Sequence, residues 1–415
     1  MKLLWLCNNA PGIVRAHSSG RPASAVNWVD HVLSGLRDRG LTVRILYRGT
    51  GGSGVIDETC SYASFGEELP YVYRPELEAV FRQELRTYQP HVIHSWGVEY
   101  DHALAMVNAA EAEGMLDSTV ASIQGLCRFL AEHYTDGIPP RDVRHTTFRD
   151  LVRKDNMAQQ QEKFRLRGEL ETKSLEKLGH AIGRTSWDRA RARELNPEIL
   201  YHFCNETLRQ CFYEGAWSYD SCRKHSVFAS SCAYPVKGFH YLLEAMEEVR
   251  KVYPDAVITV TGRSYLAGDW KQRLRRGGYE AYLAKLTTQY HLEDAVQFLG
   301  DLSAEEMKQA FLDCNIFVLP STLENSPNSL GEAMLLGVPS VAADVGGVRD
   351  MLKDGPEGRI YVPGDTGMLA AQILELFAME ERAAELGRGA REHARVTHDP
   401  QKNLEDLLAI YETLM

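Results

Sequence analysis

Two carboxylates eight positions apart carry the most specific chemistry in this sequence. They are Glu324 and Glu332, in the stretch Leu319-Pro320-Ser321-Thr322-Leu323-Glu324-Asn325-Ser326-Pro327-Asn328-Ser329-Leu330-Gly331-Glu332. The apolar run before Pro320 reads as a strand and the run from Leu330 as a helix, so Glu324 falls in the loop and Glu332 in the first helical turn. The small residues between them present backbone N–H groups at a helix N-terminus, a position that favours anions. Carboxylates accept hydrogen bonds from hydroxyl groups, so the stretch suits a ligand carrying both phosphate and sugar. A plainer reading uses the same residues. Ser329-Leu330-Gly331-Glu332 has the pattern of a capping box, in which Glu332 only satisfies the helix start and Glu324 is an exposed loop acid.

The elements that must position these groups follow an α/β grammar. Short apolar runs alternate with helical patterns, the signature of parallel sheets wrapped by helices. In the first half the expected strands are 3–7, 43–47, 92–95, 120–123, 181–184 and 200–204; in the second they are 227–229, 257–260, 296–299, 316–319, 340–343 and 359–362. A helix carrying Val26, Val29, Val32, Leu33 and Leu36 joins the first two strands. The polar, aromatic segment 206–224 breaks the alternation and reads as a linker. The resulting division is an N-terminal Rossmann-like domain over 1–205, a linker over 206–224 and a second domain over 225–399. A last helix over 400–415, after His398-Asp399-Pro400, docks back on the first domain. Two such halves make a cleft, and open α/β sheets bind ligands at the carboxyl ends of their strands.

Composition narrows the function classes. The 415 residues are 44% apolar and 25% charged, as expected of a globular protein with two or three domains. A net charge of −11 argues against nucleic acid as a partner of the whole surface. No stretch approaches the roughly 20 apolar residues of a membrane span, and the run at 3–7 is too short for a signal-peptide core, so the expected location is the cytoplasm. The eight cysteines form no C-x-x-C pair and read as buried thiols; the histidines show no H-E-x-x-H spacing, so no metal is expected. One segment runs against the acidic balance. Residues 141–167 hold eight Lys and Arg against four acids, either a solvated helix face or a peripheral contact with anionic lipid on the inner face of a membrane.

The stretch around the paired glutamates resembles the E-x7-E signature of retaining glycosyltransferases of family 4, whose GT-B architecture has two facing Rossmann-like domains with a central cleft. The continuation Ala333-Met334-Leu335-Leu336-Gly337-Val338-Pro339 and the segment Gly346-Gly347-Val348-Arg349-Asp350 are similar too, with Asp350 standing where the family usually has Glu. The resemblance is strong over about 225–397 and weaker, mainly in organisation, before that.

The resemblance implies that Glu324 binds donor-sugar hydroxyls, that Glu332 binds the ribose, and that Asn328, Ser329 and Leu330 offer amides to the diphosphate or sugar. It implies that Lys237 neutralises the diphosphate, with Arg263 assisting, and that Gly12 lies in a loop near donor phosphate and acceptor. The family's usual Arg ahead of that lysine is absent, with Ser230 and Ser231 in its place, and Gln124 stands near a position often occupied by His. His94 and Trp96, after the third strand, are candidates for the acceptor side or for the edge of the core. The implied activity is retaining, metal-independent transfer from a nucleotide-sugar donor, taken as a UDP-sugar, to a glycan or lipid-linked acceptor in polysaccharide or cell-surface glycan biosynthesis. No further cofactor is implied. The alternative from another class is a non-catalytic sugar-nucleotide-binding partner of a glycosyltransferase complex, prompted by the missing Arg and by Gln124. An epimerase or phosphorylase on the same architecture is weaker; no lysine motif for pyridoxal phosphate is evident.

Overall fold

The computed structural model describes residues 1–19, 28–67, 71–266, 268–270 and 274–415. Val26, placed on the first helix from its apolar spacing, lies outside the described residues. The chain divides into two compact units, each an α/β layer structure. The first comprises 1–131, 163–209 and 397–415, and the second 132–162 and 210–396.

The first unit is built on eight strands: β1 (Lys2–Cys7), β2 (Thr42–Tyr47), β3 (Ser53–Asp57), β4 (Cys60–Ser64), β5 (Val92–Trp96), β6 (Thr119–Ser122), β7 (His180–Gly183) and β8 (Leu200–Phe203). Their order is β3-β4-β2-β1-β5-β6-β7-β8. All pairs are parallel except the β3–β4 hairpin. Alternation along β1 separates the two faces of this sheet. Leu3, Trp5 and Cys7 enter one core cluster and Leu4 and Leu6 the other. The terminal helix Pro400–Thr413, capped by Asp399, closes the first cluster with Leu404, Leu407, Ile410 and Tyr411.

The second unit carries β9 (Arg223–Ala229), β10 (Val257–Val260), β11 (Val296–Phe298), β12 (Cys314–Leu319), β13 (Ser340–Ala343) and β14 (Arg359–Tyr361) in the order β11-β10-β9-β12-β13-β14. All its ladders are parallel. β12 is buried along its whole length, as a central parallel strand covered on both faces must be.

The units differ from the sequence-based division in two places. Segment 132–162, expected in the first domain, belongs to the second unit. Its backbone is bonded there: Thr322 Oγ1 donates to the His133 carbonyl at 2.8 Å, and His240 Nε2 lies 3.0 Å from the Asp136 carbonyl. The expected linker 206–224 is largely packed chain. Glu206 to Leu208 are buried in the first unit. In the second unit Phe212 packs edge-on to Phe311, and Trp217 Nε1 donates to the Cys314 carbonyl at 2.7 Å. The aromatic residues that set this segment apart are the ones that anchor it. All eight cysteines are buried and unbridged. No helix among the described residues is long and apolar enough to cross a membrane.

Two glycines in the second unit are required by backbone approach as well as by conformation. Gly238 (φ +64°) has the Pro320 carbonyl oxygen 1.8 Å from where a Cβ would sit, and Gly346 (φ +51°) has the Glu324 carbonyl oxygen at the same distance. Gly346→Ala is therefore expected to destabilise the second unit by about 2–3 kcal/mol, against about 1 kcal/mol for Gly355→Ala. Gly355 also has positive φ but opens onto empty space. Urea unfolding midpoints of the two variants measure the difference.

Candidate functional site

The site grows from the end of β12. The chain leaves the sheet at Pro320 and is held by backbone bonds on two sides. Thr322 N–H donates to the Val236 carbonyl at 2.9 Å, and Gly347 N–H to the Glu324 carbonyl at 3.2 Å. Val236 belongs to a short 3₁₀ turn, Pro235–Lys237, closed by left-handed Gly238. The two loops therefore bring Lys237 and Glu324 together. Lys237 Nζ lies 2.7 Å from Glu324 Oε1, which also accepts the Ser321 hydroxyl at 2.7 Å. The lysine side chain is 35% exposed and the glutamate 11%. No described residue donates to Glu324 Oε2.

The following helix, Asn328–Leu336, begins after Pro327, with no side-chain cap. The capping-box reading therefore does not describe this helix: Ser329 lies inside the first turn, and Glu332 is buried further along. Leu330, expected to offer its amide, already donates it to the Pro327 carbonyl at 3.0 Å. The Asn328 and Ser329 amides are the earliest N–H groups at the helix's positive end. The sequence reading missed Ser326. Its hydroxyl is buried between Glu324 and the helix start and has no partner among the described residues. Buried hydroxyls are rarely left so, which makes this one available to a water or a ligand atom. Arg263, after β10, is instead paired with Glu280 at 3.1 Å. Ser230 and Ser231 shape the turn after β9, where the Ser230 carbonyl accepts Thr261 Oγ1 at 2.6 Å and Ser231 Oγ accepts the Ala233 amide at 3.2 Å.

The remaining candidates lie in the first unit. Gly12 is the buried first residue of the helix Gly12–Ser19, after β1. Gln124, after β6, donates to Glu206 Oε1 at 2.7 Å, and Glu206 is paired with Arg184 at 2.9 Å. Arg184 and Glu206 line a pocket with Trp96, Ile182, Cys204 and Asn403, at the carboxyl ends of β5, β7 and β8. His94 is a core residue with no surface to offer an acceptor. Its Nδ1 lies 2.6 Å from the Tyr411 hydroxyl and its Nε2 2.8 Å from that of Ser122. Burial pushes its pKa down to about 3.

A polar cluster that no motif announced sits where chain order turns from β1 to both neighbours, the crevice in which open sheets bind ligands. There Asn8 Nδ2 donates to Glu99 Oε1 at 2.7 Å, and Asn8 Oδ1 lies 2.9 Å from His102 Nε2. Burial raises the pKa of Glu99. The Arg48 guanidinium lies 5.1 Å over the Tyr100 ring. Only the position of these residues after strands could have flagged them. Among the described residues no group of three or more His, Cys, Asp and Glu is placed to hold a metal ion.

Residues 223–393 match the family model for glycosyl transferases group 1, which contains Lys237, Glu324 and Glu332. Over its full length the chain resembles the sucrose-phosphate synthase of Thermosynechococcus elongatus, with a TM-score of 0.72 at 16% identity, covering 100% of this chain and 99% of that one. The Anabaena protein HepE, solved with UDP-glucose, aligns with a TM-score of 0.68 at 17% identity over 99% of both chains. The fold is GT-B. Among curated relatives, the amylovoran biosynthesis glycosyltransferase of Erwinia amylovora is 29% identical over 144 residues, 33% of this chain and 35% of that protein. The chain spans less than half the length of the curated relatives it matches.

The depressed pKa of His94 has a consequence with a definite sign. The unfolded ring titrates near its ordinary value of about 6.5, while the folded ring stays neutral down to about 3. Its contribution to stability is complete above the unfolded value and lost as pH falls toward the folded one. His94→Asn is expected to lose less stability than the wild type between pH 7 and pH 5, read from urea midpoints at both. Equal losses would overturn the assignment.

Proposed function

We propose that the protein transfers a sugar from a UDP-sugar to a glycan or lipid-linked acceptor with retention of anomeric configuration, in the assembly of a polysaccharide or cell-surface glycan. The observation that carries this reading is the Lys237–Glu324 pair beside the Asn328–Leu336 helix start, inside the segment that matches the family model. The relative that builds amylovoran and the structural neighbour solved with UDP-glucose support the acceptor class and the donor.

In this reading the bond between the anomeric carbon and the diphosphate breaks, and a new bond to the acceptor oxygen forms on the same face of the sugar. The acceptor proton passes to the departing phosphate, so no protein base is required and Gln124 in place of a histidine is compatible with turnover. Negative charge grows on the leaving group as its bond lengthens. The Lys237 ammonium and the Asn328 and Ser329 amides meet it, already oriented before the reaction. Glu324 Oε2 accepts a sugar hydroxyl, Glu332 the ribose hydroxyls, and the Ser326 hydroxyl a polar atom of the donor. The nucleotide-sugar is substrate, and the scheme uses no resident cofactor or metal.

Glu324→Ala is expected to lower transfer by about 10²–10³-fold without weakening UDP binding, since it also frees Lys237 from its ion pair, and Lys237→Ala to weaken UDP binding itself. A thermal-shift screen of nucleotide sugars identifies the donor, since each ligand stabilises in proportion to its binding. Turnover with that donor is then followed across glycan and lipid-linked acceptors, and NMR of the product gives the anomeric configuration. Binding without product on any acceptor would leave the non-catalytic partner standing, and an inverted product would exclude retention.

A further inference from the structure

One helix of the second unit is inside out. In Phe148–Arg153 the one buried residue is an acid: Asp150 is 1% exposed, while Phe148, Leu151 and Val152 are 60%, 67% and 70% exposed. The three apolar positions are spaced i, i+3 and i+4 and share one face, with Asp150 turned the other way. The inward side is well made. Asp150 completes a capping box with Thr147, accepting its amide at 3.2 Å, and takes a bond from Arg149 at 3.1 Å. Its Oδ2 lies 3.2 Å from the Cβ position of Gly278, at the start of the helix Gly278–Gln289, where a carboxylate complements the helix dipole. The contacts that fix Asp150 inward therefore hold the apolar face outward. A continuous exposed face of this kind marks an interaction surface rather than scattered surface apolar residues.

The charges around it choose the partner. Arg144, Arg153 and Lys154 are exposed and carry no ion pair or hydrogen bond from their side chains among the described residues. The neighbouring acids are already engaged: Asp142 by Lys285 and Arg141, Asp150 by Arg149, and Asp155 by Arg149. Further along the basic stretch, Arg165 is paired with Glu169, and Arg167 donates to the Glu99 carbonyl and lies over the Tyr100 ring. The unmatched positive charge is thus concentrated beside the apolar face, on a chain whose net charge is −11. A two-fold contact between copies would set these like charges against each other. We propose that Phe148, Leu151 and Val152, with Arg144, Arg153 and Lys154, form a docking surface for an anionic lipid bilayer: the apolar side chains enter the headgroup boundary and the cations meet lipid phosphates. This contact is independent of sugar transfer, and either can fail alone.

The test is flotation of the full chain with phosphatidylcholine vesicles made with and without phosphatidylglycerol, with no donor or acceptor present. The protein is expected to float with the anionic vesicles only, and to be released by high salt. Phe148→Ser with Leu151→Ser abolishes flotation, and Arg153→Glu with Lys154→Glu reduces the partition by about tenfold or more. Val362→Ser, at an isolated exposed apolar residue, leaves it unchanged. Unaltered melting temperatures show that the variants fold, because none of these side chains is buried. Absence of flotation, or equal flotation on neutral vesicles, overturns the proposal. So does a dimer seen by sedimentation that the Phe148/Leu151 variant dissolves, which would assign the face to a second copy.

Discussion

The candidate site depends on backbone packed against backbone. The loop 320–324 is pressed between Gly238 on one side and Gly346 on the other, each with a carbonyl oxygen of the loop where a side chain would begin. Bonds from Thr322 to the Val236 carbonyl and from Gly347 to the Glu324 carbonyl tie the same three segments together. Long charged side chains lose rotamer freedom when they are ordered, and that entropy is usually the main cost of a precise ion pair. Here the backbone beneath Lys237 and Glu324 is fixed by contacts that neither side chain makes, so holding the pair at 2.7 Å costs side-chain freedom but no further ordering of the loops. The fully buried β12 delivers the loop to this clamp, and the two glycine turns shape its walls.

This explains why the second unit was legible in sequence and the first less so. Buried parallel strands read as apolar runs, and β10 and β13 occupy the expected residues while the others differ by a few positions at their ends. The glutamates, the lysine and the Gly-Gly pair are local signals, and the contacts among them follow from strand order. The β3–β4 hairpin was missed because β3 lies at the sheet edge with alternating exposed and half-buried positions and a glycine, leaving no apolar run to recognise. Segment 132–162 was misassigned because its placement is decided by long-range bonds, such as His133 with Thr322 and Asp142 with Lys285, which no local pattern contains. In sequence His94 stays open between acceptor side and core for a related reason. A histidine at the end of an apolar strand looks the same in sequence whether it faces a ligand or a tyrosine more than 300 residues away.

The helix start at Asn328 shows how one sequence pattern can serve two chemistries. A capping box would have used the first-turn amides internally and closed the site to anions. Pro327 at the N-cap prevents this, because it has no hydroxyl or carboxylate with which to reach back. It also holds the chain extended before the helix, which orients the turn containing Asn325 and Ser326. Substituting an ordinary capping residue there would improve the helix and spend amides that the proposed reading assigns to the donor phosphates. The local imperfection is what makes the position suitable for an anion.

Net charge sets the remaining constraint. An acidic chain repels a nucleoside diphosphate at long range, so attraction must come from groups close to the phosphates. At the turn after β9, where an arginine would add a second cation, Ser230 and Ser231 are occupied in shaping the backbone. In the proposed reading Lys237 meets the phosphates together with the helix amides, and in the free protein its charge is already balanced by Glu324. Part of its attraction for a phosphate is offset by loosening that pair, and the offset is smallest when the sugar's hydroxyls engage Glu324 at the same time. In the proposed reading such a site favours the intact nucleotide-sugar over the bare nucleotide, because the two halves of one ligand satisfy the two halves of one ion pair.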